Sequence, residues 1–274
     1  MEDSAELRLP VVGDKQIRIE EDYNMIVDNK TKIRRILTMI LLVICIGCIA
    51  VIAWRWGEAQ RAKELQQDMV TSSVKETKDP MENPIDFEAL QKENPDIYAW
   101  ITIPDTEISY PVVQNRNTTD LYDEYYLNHL VDGVSGFAGA IFTQRINDTD
   151  FSDGNTVIYG HNLKNGTMFT HLHDYESQEF MDSHRTIYIY TPDTIFTYEV
   201  FAAVPFSDEH LMIAYDYSSK EGIQTFVDAV MDRGGVYAQD AAISGEDQLL
   251  TLSTCMNQAP NQRYLVVAKL VEQQ

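Results

Sequence analysis

The chain has 274 residues, 44% of them hydrophobic, which suits one sizeable domain with accessory segments and is too apolar for global disorder. Its 43 acidic and 21 basic residues give a net charge of −22. That balance argues against nucleic acid as a partner, because phosphate binding needs clustered Lys and Arg.

Residues 1–35 are polar, with 7 basic and 8 acidic side chains, and read as a short cytoplasmic tail. Ile36 to Trp54, ILTMILLVICIGCIAVIAW, is a run of 19 uncharged residues. A bilayer-spanning helix needs ~20. A buried core helix is rarely apolar on every face. A cleaved signal peptide has a shorter apolar run followed by an A-x-A-like site, which is missing here. The run therefore reads as an uncleaved single-pass anchor, residues 36–56. Lys30, Lys32, Arg34 and Arg35 crowd its N-terminal side. The positive-inside rule then puts 1–35 in the cytoplasm and the large C-terminal part outside the cell membrane, with Trp54 and Trp56 at the outer interface. Beyond the span lie 13 basic and 35 acidic residues, so the exterior part carries the acidity.

Residues 57–84 combine the helix-friendly EAQRAKELQQDM with a polar, proline-bounded stretch and read as an extracellular stalk. A globular pattern follows over 85–274. DFEALQKENPD predicts a short helix capped by Asp86 and stopped near Pro95. AWITI and ISYPVV predict strands around a PDTE turn, and TIYIY and IFTYEVFAAV a hairpin around TPDT. GAIF and NTVIYG are further strand candidates. Ile223, Phe226, Val227, Val230 and Met231 form a helical face stopped by Gly234 and Gly235. QLLTLST and RYLVVAKLV close the chain as two strands. Many short strands with few helices predict a barrel or a sandwich.

Chemistry gathers at that last pair. Cys45 and Cys48 fall inside the span and read as small apolar filler. Cys255, in TLSTCMNQAPNQRYLVVAKL, is the only cysteine beyond it, without a disulfide partner and so a candidate reactive thiol. If the two strands pair antiparallel, Cys255 and Arg263 meet at one end of the sheet, and alternation sets Cys255 on the face of Ser253 and Thr251. A thiol nucleophile needs a base or a cation. His161, in VIYGHNLKNGTMF, ends a strand candidate and opens a loop, where catalytic groups often sit. His171 and His173 form an H-x-H without a third ligand and read as exposed helix residues. His129, His184 and His210 have no evident chemical context. Arg263 by itself reads better as an ordinary surface or salt-bridged arginine, among 35 exterior acids, than as a fixed cation for an oxyanion.

TLSTC followed by an arginine at the next strand, together with VIYGHN, NPDIYAWITIPDTEISYPVVQ and YYLNHLVDGVSGFAGAIF, resembles the class B sortases, membrane-anchored cysteine transpeptidases of Gram-positive bacteria. The resemblance covers roughly 85–270. It implies an eight-stranded sortase-type β-barrel with N-terminal helices and one helix inserted before the cysteine strand, preceded by the single transmembrane helix. It implies Cys255 as nucleophile, His161 as proton donor and Arg263 as oxyanion or substrate clamp. Thr254, Ser253 and Asn162 are expected at the substrate wall, and no cofactor or metal is implied. The expected partners are the membrane, secreted proteins bearing a C-terminal sorting motif cleaved at threonine, and an amine acceptor from a peptidoglycan precursor or a pilin. Some class B enzymes carry an acid two positions after the cysteine; here that position is Asn257. The residue chemistry also fits a hydrolytic cysteine peptidase, and the anchored architecture a non-enzymatic surface receptor.

Overall fold

The computed structural model describes residues 12–75, 82–256, 259 and 261–274. Its contacts divide into two compact units, Met1–Trp56 and Gly57–Gln274. Helix α1 (Val12–Ser73) begins in the first. No proline lies between Pro10 and Pro80 to break it, so the charged segment read as a tail is helical from Val12. Residues 21–56 are exposed throughout, the apolar run included. Among the described residues this is the one helix long and apolar enough to cross a membrane.

In the second unit, α1 corrects the expectation of a stalk over 57–84. Ala59, Ala62 and Met69 are buried, Leu65 packs beside them, and Gln66 Nε2 donates to the Ser109 carbonyl at 3.3 Å. The spacing 59, 62, 65, 69 is one helical stripe, and its burial against the domain makes 57–73 part of that domain. The chain then zips back on itself: Lys75 N donates to Pro84 O at 2.7 Å and Asp86 N to Ser73 O at 2.8 Å. Helix α2 (Phe87–Glu93) follows, with Asp86 accepting from Ala89 N at 3.0 Å, as the capping pattern predicts. The Lys75 ammonium and the Ala89 N–H hold the Asp86 carboxyl below the usual carboxylate range.

Strands β1 (Ile97–Thr102), β2 (Ser109–Val113), β3 (Ile141–Thr143), β4 (Asn155–Tyr159), β5 (Thr186–Tyr190), β6 (Ile195–Ser207), β7 (Val236–Tyr237), β8 (Leu249–Cys255) and β9 (Gln262–Gln273) form one sheet. Eight of them run in the order β5-β1-β2-β3-β4-β8-β9-β6, and β6 pairs back onto β5. The sheet is therefore an eight-stranded closed barrel, with the two-residue β7 added at the edge of β6. Pairings β2–β3 and β4–β8 are parallel and the rest antiparallel. Three short helices, α3 (Gln178–Ser183), α4 (Leu211–Ala214) and α5 (Lys220–Met231), lie in the connections.

Alternation along β8 explains the packing. Leu250 and Leu252 point into the barrel with Ile158 and Val266. Leu249 points out, beneath Ile223, Phe226, Val227 and Val230 of α5, in a second cluster. The helix inserted between β6 and β8 thus closes the outer face of the strands that carry the chemistry. Met231, counted in the apolar face, is 47% exposed, because it sits at the edge of the stripe. A third cluster joins Met69, Phe87 and Leu90 to Trp100, Val113 and Phe142 on the opposite outer face.

Candidate active site

β8 and β9 pair in a register that sets Cys255 directly across from Arg263. Arg263 Nη1 lies 3.5 Å from Cys255 Sγ. Both side chains sit on the outer barrel face; the β4 pairing ends opposite Ser253, so Cys255 lies beyond it, while Arg263 is flanked on its other side by Phe206 of β6. A guanidinium at this distance is a counter-charge for a thiolate. Cys255 is half-buried, an accessible thiol rather than core filler.

The parallel neighbour of β8 brings the histidine. β4 ends at Tyr159, Gly160 N donates to Ser253 O at 3.1 Å, and His161 follows where the chain turns away from the sheet. His161 Nε2 donates to the Leu127 carbonyl at 2.8 Å, and among the described residues Nδ1 has no hydrogen-bond partner. Leu127 closes a short 3-10 turn, Tyr125–Leu127. Gly139 lies against both groups at φ 62°; a Cβ there would stand 2.7 Å from Leu127 O and 3.1 Å from His161 Cδ2.

Cys255, His161 and Arg263 line one cleft of ≈ 170 Å³, together with Ser253 and Thr254. Ser253 shares the outer face with Cys255. Thr254 points inward, 2% exposed, and its Oγ1 has no hydrogen-bond partner among the described residues. Asn162 does not line the cleft: its Nδ2 donates to the Cys255 carbonyl at 2.9 Å. Asn257 lies outside the described residues.

The rest of the wall comes from Phe142 of β3, Tyr159 of β4 and the loops around them. Glu124, Asp208 and Glu209 bring carboxylates, and Tyr159, Gln144 and His210 a polar network. Gln144 and His210 Nε2 are 3.0 Å apart, and Tyr122 meets the His210 ring edge-on at 4.9 Å. His210, without context in the sequence, thus belongs to the cleft. Burial pushes the Tyr159 hydroxyl up; Glu124 adds to that shift and Arg263 opposes it.

The sequence also misplaced His173. It lies in a 3-10 run, Phe169–Glu176, whose three-residue period stacks Phe169, Leu172 and Tyr175 into the core. The next row is Thr170, His173 and Glu176. His173 is only 13% exposed in its side chain and reaches within 3.1 Å of the Cys255 carbonyl. His171, 31% exposed and paired with Asp174 at 2.8 Å, is nearer to expectation.

A sortase domain matches residues 101–271, which takes in Cys255, His161 and Arg263. The chain belongs to the sortase family. Sortase B of Listeria monocytogenes is 30% identical over 249 residues, spanning 88% of this chain and 99% of the relative. Sortase B of Staphylococcus aureus is 30% identical over 240 residues, spanning 85% and 94%. Among solved structures, sortase B from Bacillus anthracis is 31% identical with a TM-score of 0.65, covering 79% of this chain and 99% of that one. This sortase is of class B, a cysteine transpeptidase, and its barrel is the one its relatives share.

Proposed function

We propose that this sortase cleaves a C-terminal sorting motif after threonine and transfers the protein to an amine, with Cys255, His161 and Arg263 as the catalytic groups. The observation that carries the reading is the 3.5 Å approach of Arg263 Nη1 to Cys255 Sγ in a cleft that His161 also lines. The Cys255 thiolate attacks the threonine carbonyl and forms a C–S bond while the carbonyl π pair moves to oxygen. Arg263 stabilises that oxyanion. On collapse the C–N bond breaks, and His161, as imidazolium with Nε2 held by Leu127, delivers the Nδ1 proton to the leaving amine. A thioacyl enzyme remains. An incoming amine attacks it, His161 takes the amine proton, and the new amide leaves Cys255 as thiolate. This is a two-step exchange through a covalent intermediate.

The acceptor amine belongs to a peptidoglycan precursor or to another surface protein. Ser253 and Thr254 form part of the wall against which the motif lies. The apolar stretch of α1 anchors the enzyme in the cell membrane, with residues 1–35 in the cytoplasm and the barrel outside. The cations flanking the span, Lys30, Lys32, Arg34 and Arg35, support that sidedness. An anchor suits the reaction, since both substrates pass along the outer membrane face.

The test is mass spectrometry of the full chain in detergent micelles, incubated with sorting-motif peptides with and without an amine acceptor. A thioacyl adduct on Cys255 that moves to the amine is the expected result. Cleavage without transfer to any amine would make the enzyme a hydrolase. No adduct with any peptide would overturn the reading.

A further inference from the structure

The nucleophile is held from behind by groups that do not line the cleft. At the end of β4 the parallel ladder donates from Gly160 N to Ser253 O. One step further, Asn162 N would donate to Cys255 O, but the chain has already turned away at His161. The side chain of Asn162 fills that place: its Nδ2 donates to the Cys255 carbonyl at 2.9 Å. A side-chain amide has rotational freedom that a backbone N–H in a ladder lacks, so something must fix it.

His173 does so. Its Nδ1 is 2.7 Å from Glu176 Oε1, and a carboxylate only accepts, so Nδ1 carries the proton. In the neutral ring Nε2 is then the acceptor for Asn162 Nδ2 at 2.9 Å; it also lies 3.1 Å from the Cys255 carbonyl to which that amide donates, so the three polar atoms form one triangle. The two protons of the Asn162 amide are thereby both placed, one on Nε2 and one on the Cys255 carbonyl. Rotating the amide by half a turn would set its oxygen against that carbonyl and leave Nε2 without a donor. The imidazole also stacks on Tyr264, with centroids 4.8 Å apart, and Tyr264 is the cross-strand partner of Thr254. The ring therefore rests on the strand pair that carries both Cys255 and Arg263.

We propose that Glu176, His173 and Asn162 form a positioning relay for the nucleophile. Glu176 sets the tautomer of His173, His173 sets the orientation of the Asn162 amide, and the amide pins the Cys255 carbonyl. Cys255 is the last residue of β8, and the peptide after it enters the connecting loop. Pinning the carbonyl holds Cα and Cβ in the frame that keeps Sγ beside Arg263. None of the three residues lines the cleft. The proposal rests on Cys255 being the nucleophile of the reaction above.

The experiment is the rate of Cys255 alkylation by iodoacetamide in the full chain in detergent micelles, with the modified peptide identified by mass spectrometry. Cys255→Ala gives the blank, and thermal unfolding is followed on the same samples. His173→Phe keeps an aromatic ring over Tyr264 and removes the acceptor; it should slow alkylation about tenfold with the unfolding midpoint unchanged. His173→Gln, whose amide oxygen can accept from Asn162, should restore most of the rate. Glu176→Gln, at a side chain 57% exposed, should slow labelling by a smaller factor without touching the core, and it reports on the relay even if His173→Phe unfolds. Wild-type alkylation in both His173→Phe and Glu176→Gln overturns the relay, as does His173→Gln being as slow as His173→Phe. Because alkylation needs no sorting peptide, failure of the relay and failure of the transpeptidase reading are seen separately.

Discussion

The carbonyl of Leu127 holds Nε2 of His161 at 2.8 Å, joining a 3-10 turn far back in the chain to the loop that leaves β4. Gly139 is wedged beneath both at φ 62°. A side chain there is strained by the backbone and also meets the Leu127 oxygen. Gly139→Ala should therefore cost about 1–3 kcal/mol of stability. It should also displace the histidine, so that turnover per folded molecule falls as well. Thermal unfolding and single-turnover acyl formation, measured side by side, check it; a stable variant with full turnover would mean that Leu127 does not set the His161 position.

Arg263→Lys keeps the charge and loses the fork. The ammonium cannot reproduce the planar approach of Nη1 to sulfur while also facing a developing oxyanion. Acyl formation should drop by about 10²–10³-fold, the range for loss of one oxyanion donor. Folding should be unaffected, since Arg263 is half-buried on the outer face. The rate of thioester accumulation by rapid-quench mass spectrometry decides it, and near-wild-type rates would move Arg263 out of the oxyanion role.

The elements that sequence displayed best are those with a strong apolar signal between clear stops. β8 and β9 are near-continuous apolar runs joined by one polar loop, so their antiparallel pairing, and with it the facing of Cys255 and Arg263, was legible in the sequence. α5 shows its stripe, and Asp86 shows its cap. Where the period is unusual or the residues small, the pattern fails. Ala59 and Ala62 carry little apolar weight, so a packed helix face looked like a polar stalk. His173 belongs to a run with a period of three, in which Glu176 is its neighbour and the core lies one row over; a helical reading at 3.6 scatters those rows. His210, Glu124 and Glu209 arrive in the cleft on loops, and loop placement follows from tertiary closure rather than from local pattern.

The second apolar cluster gives a paired test of α5. Phe226 is fully buried between Phe206, Tyr215 and Tyr217, with ring centroids 5.2–6.2 Å away, whereas Met231 is half exposed five residues on. Phe226→Ala should cost about 3–5 kcal/mol by leaving a cavity under the helix. Met231→Ala should change stability by less than about 0.5 kcal/mol. Urea unfolding of both variants checks the contrast, and equal losses would mean that the stripe is misassigned.

A last prediction concerns pH. Burial raises the Asp153 carboxyl above its ordinary value; hydrogen bonds from Asn147 and Asp148 oppose the shift, and the nearby Asp148 and Asp150 charges add to it. The native state therefore holds this proton more tightly than the unfolded chain does, and ionising Asp153 costs stability. The cost is absent where both states are protonated. It grows as pH rises from the unfolded value through the raised folded one, and is fully present above it. Asn147 Nδ2 and Asp148 N both donate to the same oxygen, Oδ2, at 2.9 and 2.8 Å. An amide oxygen can occupy that place, so Asp153→Asn keeps both bonds and removes the ionisation. The variant should be more stable than wild type at neutral pH, and the gap should close as the pH falls into the carboxyl range. Thermal midpoints of the two proteins across that range test the sign. A gap that widens on acidification would mean that the Asp153 charge stabilises the fold, with its hydrogen bonds outweighing burial.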